Sequence, residues 1–512
     1  MAFSRLIEAA AAAEAPTIVI VLLLSFIFYL RRRNSSSSIT RLPPGPFQWP
    51  VIGNLHQFGR LPHLSIQHLA NKYGPIMWLR LGYYPVVVVS TTEMAKEFLK
   101  THDLAFSSRP KSGVGEHLVY NYKSMGFSPY GDYWRHIRRV WMTELMTPKR
   151  LSSFRSIREE EVCSLMRSIW EKSEQGRVAV NVSKAIDWIS SSIVWRTVAG
   201  KKCSEDRDGK DLCDMVKRLM LTVKEVNGRE IIPCIGWFDL QGVTRRMKET
   251  HRIFDGVAQN IIDQHINGRK REQSSDVKDI VDVLLEMADT GAINIQLDSI
   301  KAIIFDVLTG GIETATSSLE WTMTEMVRNP DIARKLQQEI ESVVGKHRTV
   351  TESDLPNIEY LQCVVKESLR LHPPAPLIFP RESTEACTVG AKRYVIPPKT
   401  RLMINVWAIG RDPAVWEDPL TFKPERFMGK DMDIKGRSDF RMLPFGGGRR
   451  GCPGAQMAIG NMELILAQLM HCFDWRAEGD PSELDMSEAL ETSLSRKHNL
   501  FAVPTLKLLN CI

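Results

Sequence analysis

The sequence lacks the patterns that identify several common classes of protein. Its nine cysteines are odd in number and contain no C-x-x-C pair, so neither a zinc ribbon nor a disulfide scaffold is indicated, and a reducing compartment fits best. It has no internal repeat and no regular strand–helix alternation, which argues against a solenoid and a doubly wound α/β fold. The formal charge of +7 comes without a nucleic-acid-binding motif, so no nucleic acid partner is expected.

The N-terminal region carries one long apolar run. Residues 15–30 are uncharged, and the alanines at 9–13 extend the run to roughly the 30 Å thickness of a bilayer core. Three arginines at 31–33 follow the run, which predicts an uncleaved anchor with the remainder of the chain in the cytosol. The predicted organisation is an anchor with its basic stop (1–33), a Ser-rich tether with a Pro-rich hinge (34–50) and one large cytosolic domain (51–512).

Amphipathic helical patterns dominate the chain from about residue 60 onward. The strands predicted by β-branched and aromatic runs are few and short: 76–81, 86–90, 387–389, 393–395 and 401–405. The predicted fold class is therefore mainly α with a minor β region.

The stretch FGGGRRGCPG at 445–454 concentrates glycine around a single cysteine. A dinucleotide-binding turn, a thiol nucleophile and a metal-bound thiolate could each use such a loop. The first needs a strand directly before the glycines, where Pro444 stands. The second needs a base near Cys452, and only His471 and His498 are available, without a family signature. The third fits glycines that let a backbone lie against a large flat cofactor.

A helix is predicted directly after Cys452. Pro453 suits its first position, and apolar residues repeat at helical spacing from 459 to 473. Cys452 then lies at or next to the N-cap, where the helix dipole and free N–H groups favour a thiolate. Arg450, two residues from the sulfur, can pair with an acidic substituent of a cofactor.

A second, long apolar helix is predicted over 299–328, with Gly310 and Gly311 in its interior. Each glycine costs roughly 1 kcal/mol relative to alanine, so the pair requires a reason, and close helix packing is the common one. Glu313 and Thr314 follow at once, and Thr314 can bond back to the Gly310 carbonyl and bend the helix. An opened helix beside a hydroxyl and a carboxyl can bind a small polar molecule and pass it protons.

Two short-range pairs complete the set of candidates. Glu367 and Arg370 stand at i, i+3, a spacing that usually indicates a surface pair of little energetic weight. Trp134 and Arg138 stand at i, i+4 and can present an indole N–H and a guanidinium to one anion.

In this order, these four stretches resemble the cytochrome P-450 family of haem-thiolate monooxygenases, in its plant microsomal, A-type branch, and the match covers nearly the whole chain. The haem-binding motif F-x-x-G-x-R-x-C-x-G is matched at Phe445, Gly448, Arg450, Cys452 and Gly454. GGIETA resembles the oxygen-activation motif, and LPPGP at 42–46 resembles the hinge after the anchor. The resemblance also implies that Arg426, in PERF, joins Glu367 and Arg370 in a structural triad.

The resemblance implies a role for each motif residue. Cys452 would be the axial ligand of the haem iron, and Thr314 with Glu313 would deliver protons on the opposite side. The implied partners of the haem propionates are Trp134, Arg138, Arg381 and Arg450. The implied substrate pocket includes Phe305, Leu308, Thr309, Leu377, Ile378 and Ser493.

The implied cofactor is haem b, with NADPH acting only through a separate NADPH-cytochrome P-450 reductase in the endoplasmic reticulum membrane. The implied reaction uses O2 to hydroxylate a bulky hydrophobic plant metabolite, with a terpenoid expected first and a flavonoid or other phenolic second. A reductase-independent isomerase or dehydratase of the same family, and a haem-binding protein without catalysis, are the alternatives, and Thr314 argues against both.

Overall fold

The computed structural model describes residues 41–202, 207–225, 239, 241–270, 277–291 and 295–508. The predicted anchor and the tether up to residue 40 lie outside them. Within the described part of the chain, no helix combines the length and the apolar character needed to cross a membrane. The Pro-rich segment is extended and packs on the body, since the Pro44 carbonyl accepts a hydrogen bond from the Trp78 N–H at 2.8 Å.

The fold is mainly helical, as predicted. In chain order the described α-helices are α1 (Pro62–Tyr73), α2 (Thr92–Lys96), α3 (Asp132–Val140), α4 (Pro148–Ser153), α5 (Arg155–Lys172), α6 (Val182–Ala199), α7 (Arg207–Val223), α8 (Val243–Lys270), α9 (Ile280–Asp289), α10 (Leu297–Gly311), α11 (Glu313–Arg328), α12 (Pro330–Val344), α13 (Glu359–Leu371), α14 (Val406–Ile409) and α15 (Ala455–Cys472).

The β region is minor and divided among four small sheets. Its strands are β1 (Ile76–Leu81), β2 (Tyr84–Val89), β3 (Val180–Asn181), β4 (Arg381–Glu382), β5 (Cys387–Val389), β6 (Tyr394–Ile396), β7 (Arg401–Ile404), β8 (Phe473–Ala477), β9 (Glu488–Leu490), β10 (Leu494–Arg496) and β11 (Phe501–Leu506). The sheet orders are β1-β2-β7-β4, β3-β11-β8, β5-β6 and β9-β10. All five predicted strands are confirmed within one or two residues at each end.

The core surrounds α11, which is buried along most of its length. Thr322 is one of its buried hydroxyls that bonds within the helix: it donates to the Ser318 carbonyl at 2.6 Å and also contacts the Ser368 hydroxyl. Trp321 donates its indole N–H to the Leu494 carbonyl at 2.9 Å, which joins the helix to the β9–β10 hairpin. Because α11 is held on all sides, its N-terminal residues Glu313 and Thr314 have fixed positions in the interior.

The predicted helix over 299–328 is present but divided at Ile312 into α10 and α11. The two glycines serve different purposes. A Cβ on Gly311 would lie 3.3 Å from Val194 of α6, so this position permits close helix packing. A Cβ on Gly310 would meet nothing within 4 Å, and Gly310 is exposed whereas Thr309 and Gly311 are half-buried. Gly310 therefore marks an open side of the helix.

Arg370 and Arg426 both bind the Glu367 carboxylate in the interior. The surface location that the i, i+3 spacing indicates for Glu367 and Arg370 is therefore wrong. The Glu367 carboxylate accepts two hydrogen bonds from Arg370, at 2.7 and 2.8 Å, and one from Arg426 at 3.0 Å. The side chains of Glu367 and Arg370 are 0% exposed. Arg370 also donates to the carbonyls of Gly410 and Pro419, so the three residues join α13 to the loop that precedes the cysteine segment.

The cysteines differ in one respect from the sequence expectation. Cys163, Cys363, Cys387 and Cys452 are free. Cys472 is disulfide-bonded, and its partner is not among the side chains that the structure describes.

Candidate functional site

The segment 445–454 forms a tight loop around Cys452. The Cys452 N–H donates to the Phe445 carbonyl at 2.9 Å, which closes the loop. Gly448 has φ +62°, and a Cβ there would lie 2.6 Å from the Leu99 carbonyl oxygen, so the position requires glycine. A Cβ on Gly454 would meet nothing within 4 Å. The loop thus presents an open backbone surface next to the sulfur.

The helix after the cysteine starts later than the sequence predicts. α15 begins at Ala455 with Gly454 as its N-cap, so Pro453 precedes the helix instead of opening it. The backbone N–H groups of Gly454 and Ala455 still point toward the Cys452 sulfur. The expected helix N-terminus beside the thiol is therefore present, two residues further along.

Cys452 retains solvent-accessible surface although protein atoms surround it closely, from which we infer that it lines a recess, here called the cleft. Burial raises the pKa of the Cys452 thiol, whereas the N–H groups of Gly454 and Ala455 and the charge of Arg138 lower it. Coordination to a metal would deprotonate such a thiol outright.

Four cationic or N–H-bearing side chains surround this cleft. Arg450 stacks on Trp134, with its guanidinium carbon 4.3 Å from the indole ring centroid, and donates to the carbonyls of Ser107 and Ser128 at 2.6 and 2.7 Å. Burial and the charges of Arg381 and Arg138 lower the pKa of Arg450 to about 9. Like charges held this close favour an anion among them.

Several donor atoms of this group lack partners in the described part of the chain. The buried indole N–H of Trp134 and the Nε of Arg381 have no hydrogen-bond acceptor. Arg138 has only the Met125 sulfur, 4.0 Å from its Nη1. Arg381 donates to Asp103 at 3.2 Å and to the Gly447 carbonyl at 2.5 Å, and burial lowers its pKa to about 10.

Sequence reasoning missed one member of the cluster, Arg109. Its guanidinium donates to the carbonyls of Gly126, Phe379 and Pro380 at 2.7–2.9 Å and lies 4.6 Å from the Phe379 ring centroid. Burial, then the charges of Arg450 and Arg381, lower the pKa of Arg109. Arg109 follows two serines and precedes Pro110 in an ordinary polar segment, so local sequence carried no signal for it.

The break between α10 and α11 contains the predicted hydrogen bond. Thr314 Oγ1 donates to the Gly310 carbonyl at 2.6 Å. This bond occupies the threonine proton and leaves the oxygen lone pairs as acceptors. The open side at Gly310 and the Thr314 oxygen therefore offer a small polar molecule a place beside the helix.

Glu313 is tied to the turn between β9 and β10. Its Oε1 accepts the N–H groups of Thr492 and Ser493 at 3.1 and 3.0 Å, while its buried Oε2 has no partner among the described residues. Burial raises the pKa of the Glu313 carboxyl above its usual range. Since Oε1 accepts two hydrogen bonds, a proton on the neutral acid belongs on Oε2.

The six expected pocket residues lie on several elements of the fold. Phe305 and Leu308 lie in the core around α10, where Phe305 contacts the Phe254 ring with centroids 5.6 Å apart. Thr309 donates to its own helix, at the Phe305 carbonyl. Ser493 reaches the site through Glu313. Leu377 and Ile378 are half-buried, and both belong to a segment that pairs with the chain at the end of β7.

A partly open cavity of about 580 Å³ lies outside this group of residues. Its lining comes from residues 121–123, 128–133, 136 and 137 and from Gln296 and Ser299 near the start of α10. None of the six expected pocket residues, and neither Cys452 nor Thr314, contributes to it.

The cleft at Cys452 fits a flat, acidic cofactor such as the haem that the sequence resemblance implies. The open backbone at Gly454 and Gly310 leaves room for a large planar group, the unpartnered donors of Trp134 and Arg381 offer hydrogen bonds to carboxylates, and the arginine cluster needs negative charge. The cysteine sulfur supplies an iron ligand.

Comparisons with known proteins agree with this fit. The family model "Cytochrome P450" matches residues 43–502. The chain is 52% identical to cytochrome P450 750A1 of Pinus taeda over 488 residues, which are 92% of each protein. It is 39% identical to the flavonoid 3'-monooxygenase CYP75B137 of Crocosmia x crocosmiiflora, over 90% of this chain and 92% of that protein.

A solved structure shows the same fold. A zebra fish cytochrome P450 determined with progesterone superposes with a TM-score of 0.74, covering 87% of this chain and 99% of the fish protein. The two sequences are 24% identical, so this comparison concerns the fold alone.

Proposed function

Because the chain belongs to the cytochrome P450 family, whose members bind haem b and receive electrons from a separate reductase, we propose that this monooxygenase hydroxylates a bulky, apolar plant metabolite. The observation that carries the proposal is the cysteine sulfur beside a cluster of arginines and unpartnered donors. The cofactor, when bound, supplies thiolate-ligated iron able to activate O2.

We assign the protein side chains as follows. Cys452 would provide the sulfur ligand of the iron, and the open backbone of its loop, with Phe445, Gly448 and Gly454, would let the cofactor approach. The acidic substituents are held by Trp134, Arg138, Arg381 and Arg450, whose free donors and mutual repulsion support the assignment.

Thr314 and Glu313 are assigned to proton delivery. The raised pKa of the Glu313 carboxyl keeps it protonated over a wider pH range than an exposed glutamate, and its Oε2 is the atom that holds the proton. The Thr314 oxygen, fixed by its bond to the Gly310 carbonyl, can accept a hydrogen bond from a polar ligand at the helix opening.

The electron donor and the cellular location of the protein are proposed from the sequence and from the family. NADPH-cytochrome P450 reductase is proposed as the electron donor. An anchor at 1–33 and a tether and hinge at 34–50, followed by a cytosolic catalytic domain at 51–512, would place the protein in the endoplasmic reticulum membrane as a single-pass enzyme. The apolar run at 15–30 and the arginines at 31–33 support this placement.

A terpenoid is the first candidate substrate, because four of the six expected pocket residues, Phe305, Leu308, Leu377 and Ile378, are apolar. A flavonoid is the second, favoured by the relative from Crocosmia x crocosmiiflora, whose name describes flavonoid 3'-oxidation.

The substrate class is tested by incubating the membrane-bound protein with reductase, NADPH and ¹⁸O2 and with panels of terpenoids and flavonoids. Incorporation of one labelled oxygen into a terpenoid product supports the first candidate. Labelled flavonoid products alone would replace it with the second, and conversion that needs neither reductase nor O2 would indicate an isomerase or dehydratase reaction.

Replacing the Thr314 hydroxyl should reduce catalysis without disturbing the cofactor. In Thr314→Ala we expect product formed per NADPH consumed to fall at least about 10-fold, since a positioned proton-transfer group contributes that much or more. The carbon monoxide difference spectrum should keep its thiolate-type band. Ser318→Ala is the matched control, because Ser318 makes the same bond to its own helix, at the Thr314 carbonyl, one turn further on. Equal loss in both variants would assign the effect to helix packing.

A further inference from the structure

One acidic side chain near the site has no place in the mechanism above. Asp306 lies on α10, one turn before Gly310, and accepts hydrogen bonds from the loop that runs across the helix. Its Oδ2 accepts the Met125 N–H at 2.7 Å and its Oδ1 accepts the Ser124 hydroxyl. The Gly126 N–H donates to the Ser124 hydroxyl oxygen at 3.1 Å and also faces the carboxylate. It forms no ion pair with any residue that the structure describes.

The same loop supports the arginine cluster from its other side. The Met125 carbonyl accepts from Arg450 at 3.1 Å, and the Gly126 carbonyl accepts from Arg109 at 2.9 Å. The Met125 sulfur is the contact of Arg138. The Asp306 carboxylate therefore lies against the N–H groups of Met125 and Gly126. The carbonyls of these two residues and the Met125 sulfur in turn contact three arginines.

We propose that Asp306 is a positioning residue for the cofactor: it fixes the loop 124–126 and thereby keeps Arg450 and Arg109 oriented in the cleft. The proposal rests on the cofactor site described above and adds a residue that touches neither the cysteine nor the arginines. A carboxylate suits the task because it only accepts hydrogen bonds and can receive all three donors at once.

The ionisation of Asp306 is consistent with this role. The side chain keeps some accessible surface. Crowding by protein atoms nevertheless raises the pKa of its carboxyl to about 7, while the hydrogen bonds from the loop act in the opposite direction and lower this pKa. Burial and the charge of Asp306 raise the pKa of Tyr133, whose hydroxyl donates to the Lys123 carbonyl. The three donors of the loop solvate the Asp306 carboxylate, which would otherwise need water molecules to accept from.

The chain offers a matched control on the same helix. Asp298 of α10 binds the same stretch of chain from outside, through Lys123 at 2.8 Å, and its side chain is 52% exposed. Above pH 7, where the Asp306 carboxyl is mainly ionised, replacement of either aspartate by asparagine removes one negative charge from α10. Only Asp306→Asn places an amide NH2 against the loop N–H groups, because an asparagine cannot accept at both terminal atoms.

The test measures transfer of haem from the full-length, membrane-bound protein to an excess of apo-globin, well below the unfolding temperature. We expect haem loss about 10-fold faster in Asp306→Asn and about threefold faster in Ser124→Ala, following the strengths of charged and neutral hydrogen bonds. Asp298→Asn should stay within about twofold of the wild type, as expected for an exposed pair.

A double-variant comparison separates positioning from general destabilisation. If Asp306 acts through the loop carbonyls, adding Arg109→Lys to Asp306→Asn should accelerate haem loss by less than the product of the two single effects. Full multiplication, or haem loss in Asp306→Asn no faster than in Asp298→Asn, overturns the proposal. If Asp306→Asn does not fold, Ser124→Ala with and without Arg109→Lys gives the same test. A wild-type protein that takes up no haem would instead overturn the cofactor site itself.

Discussion

Replacing Cys452 with serine should abolish the thiolate-type band in the carbon monoxide difference spectrum and lower reductase-supported turnover by at least about 100-fold. A serine oxygen is a much weaker electron donor to iron than a thiolate, and that donation is what favours O–O cleavage. The variant keeps nearly the same side-chain size, so the loop closed by the Cys452 N–H and the Phe445 carbonyl should persist. Haem content and difference spectra of the purified membranes provide the measurement.

Cys387→Ser is the matched control. Cys387 is free and half-buried on β5, and burial raises the pKa of its thiol to about 11, so it remains protonated at neutral pH. Its replacement should leave both the spectrum and the turnover unchanged. A thiolate-type band that survives in Cys452→Ser would mean that another group binds the iron, and the assignment of the loop would fall.

The sequence located the reactive groups because each lies in a short, local pattern. Cys452 stands among glycines, and the hydrogen bond from the Thr314 hydroxyl to the Gly310 carbonyl spans four residues across the break between α10 and α11. Such features depend on neighbours along the chain, where spacing determines geometry.

The contacts that orient these groups could not be predicted in the same way. The Arg450 guanidinium donates to the carbonyls of Ser107 and Ser128, more than 300 positions away, and such backbone acceptors follow no side-chain pattern. Arg109 and Asp306 depend on the same loop. An isolated arginine or aspartate in the sequence carries no sign of the backbone that it will meet.

The strands near the C-terminus were missed for a different reason. β11 contains Pro504, which removes a ladder donor and argues against a central strand. In the sheet β3-β11-β8, however, β3 pairs only with Phe501 and Ala502, so β11 has one neighbour at Pro504. The proline is tolerated at a local edge, a position that only the tertiary arrangement defines.

The second large effect is expected on replacing Glu367. Its i, i+3 spacing from Arg370 predicted only a small contribution to stability. Its carboxylate accepts bonds from Arg370 and Arg426 and from the Lys423 N–H at 2.7 Å, all within the interior. Removing one partner of a buried ion pair leaves uncompensated charge and costs about 3–5 kcal/mol. Because a protein of this kind has only about 5–15 kcal/mol of folding free energy, Glu367→Ala should yield little folded, haem-loaded protein.

The control for this expectation has the same spacing and the opposite environment. Asp331 and Arg334 form an i, i+3 pair on α12 whose side chains are 92% and 63% exposed. Asp331→Ala should change the free energy of unfolding by less than about 1 kcal/mol, because water already screens this pair. Thermal unfolding midpoints and haem content per chain, measured for both variants, test the contrast directly. Similar midpoints would show that the buried carboxylate does not hold α13 to the loop before the cysteine. A large difference would show that burial, and not sequence spacing, determines how much the ion pair contributes to stability.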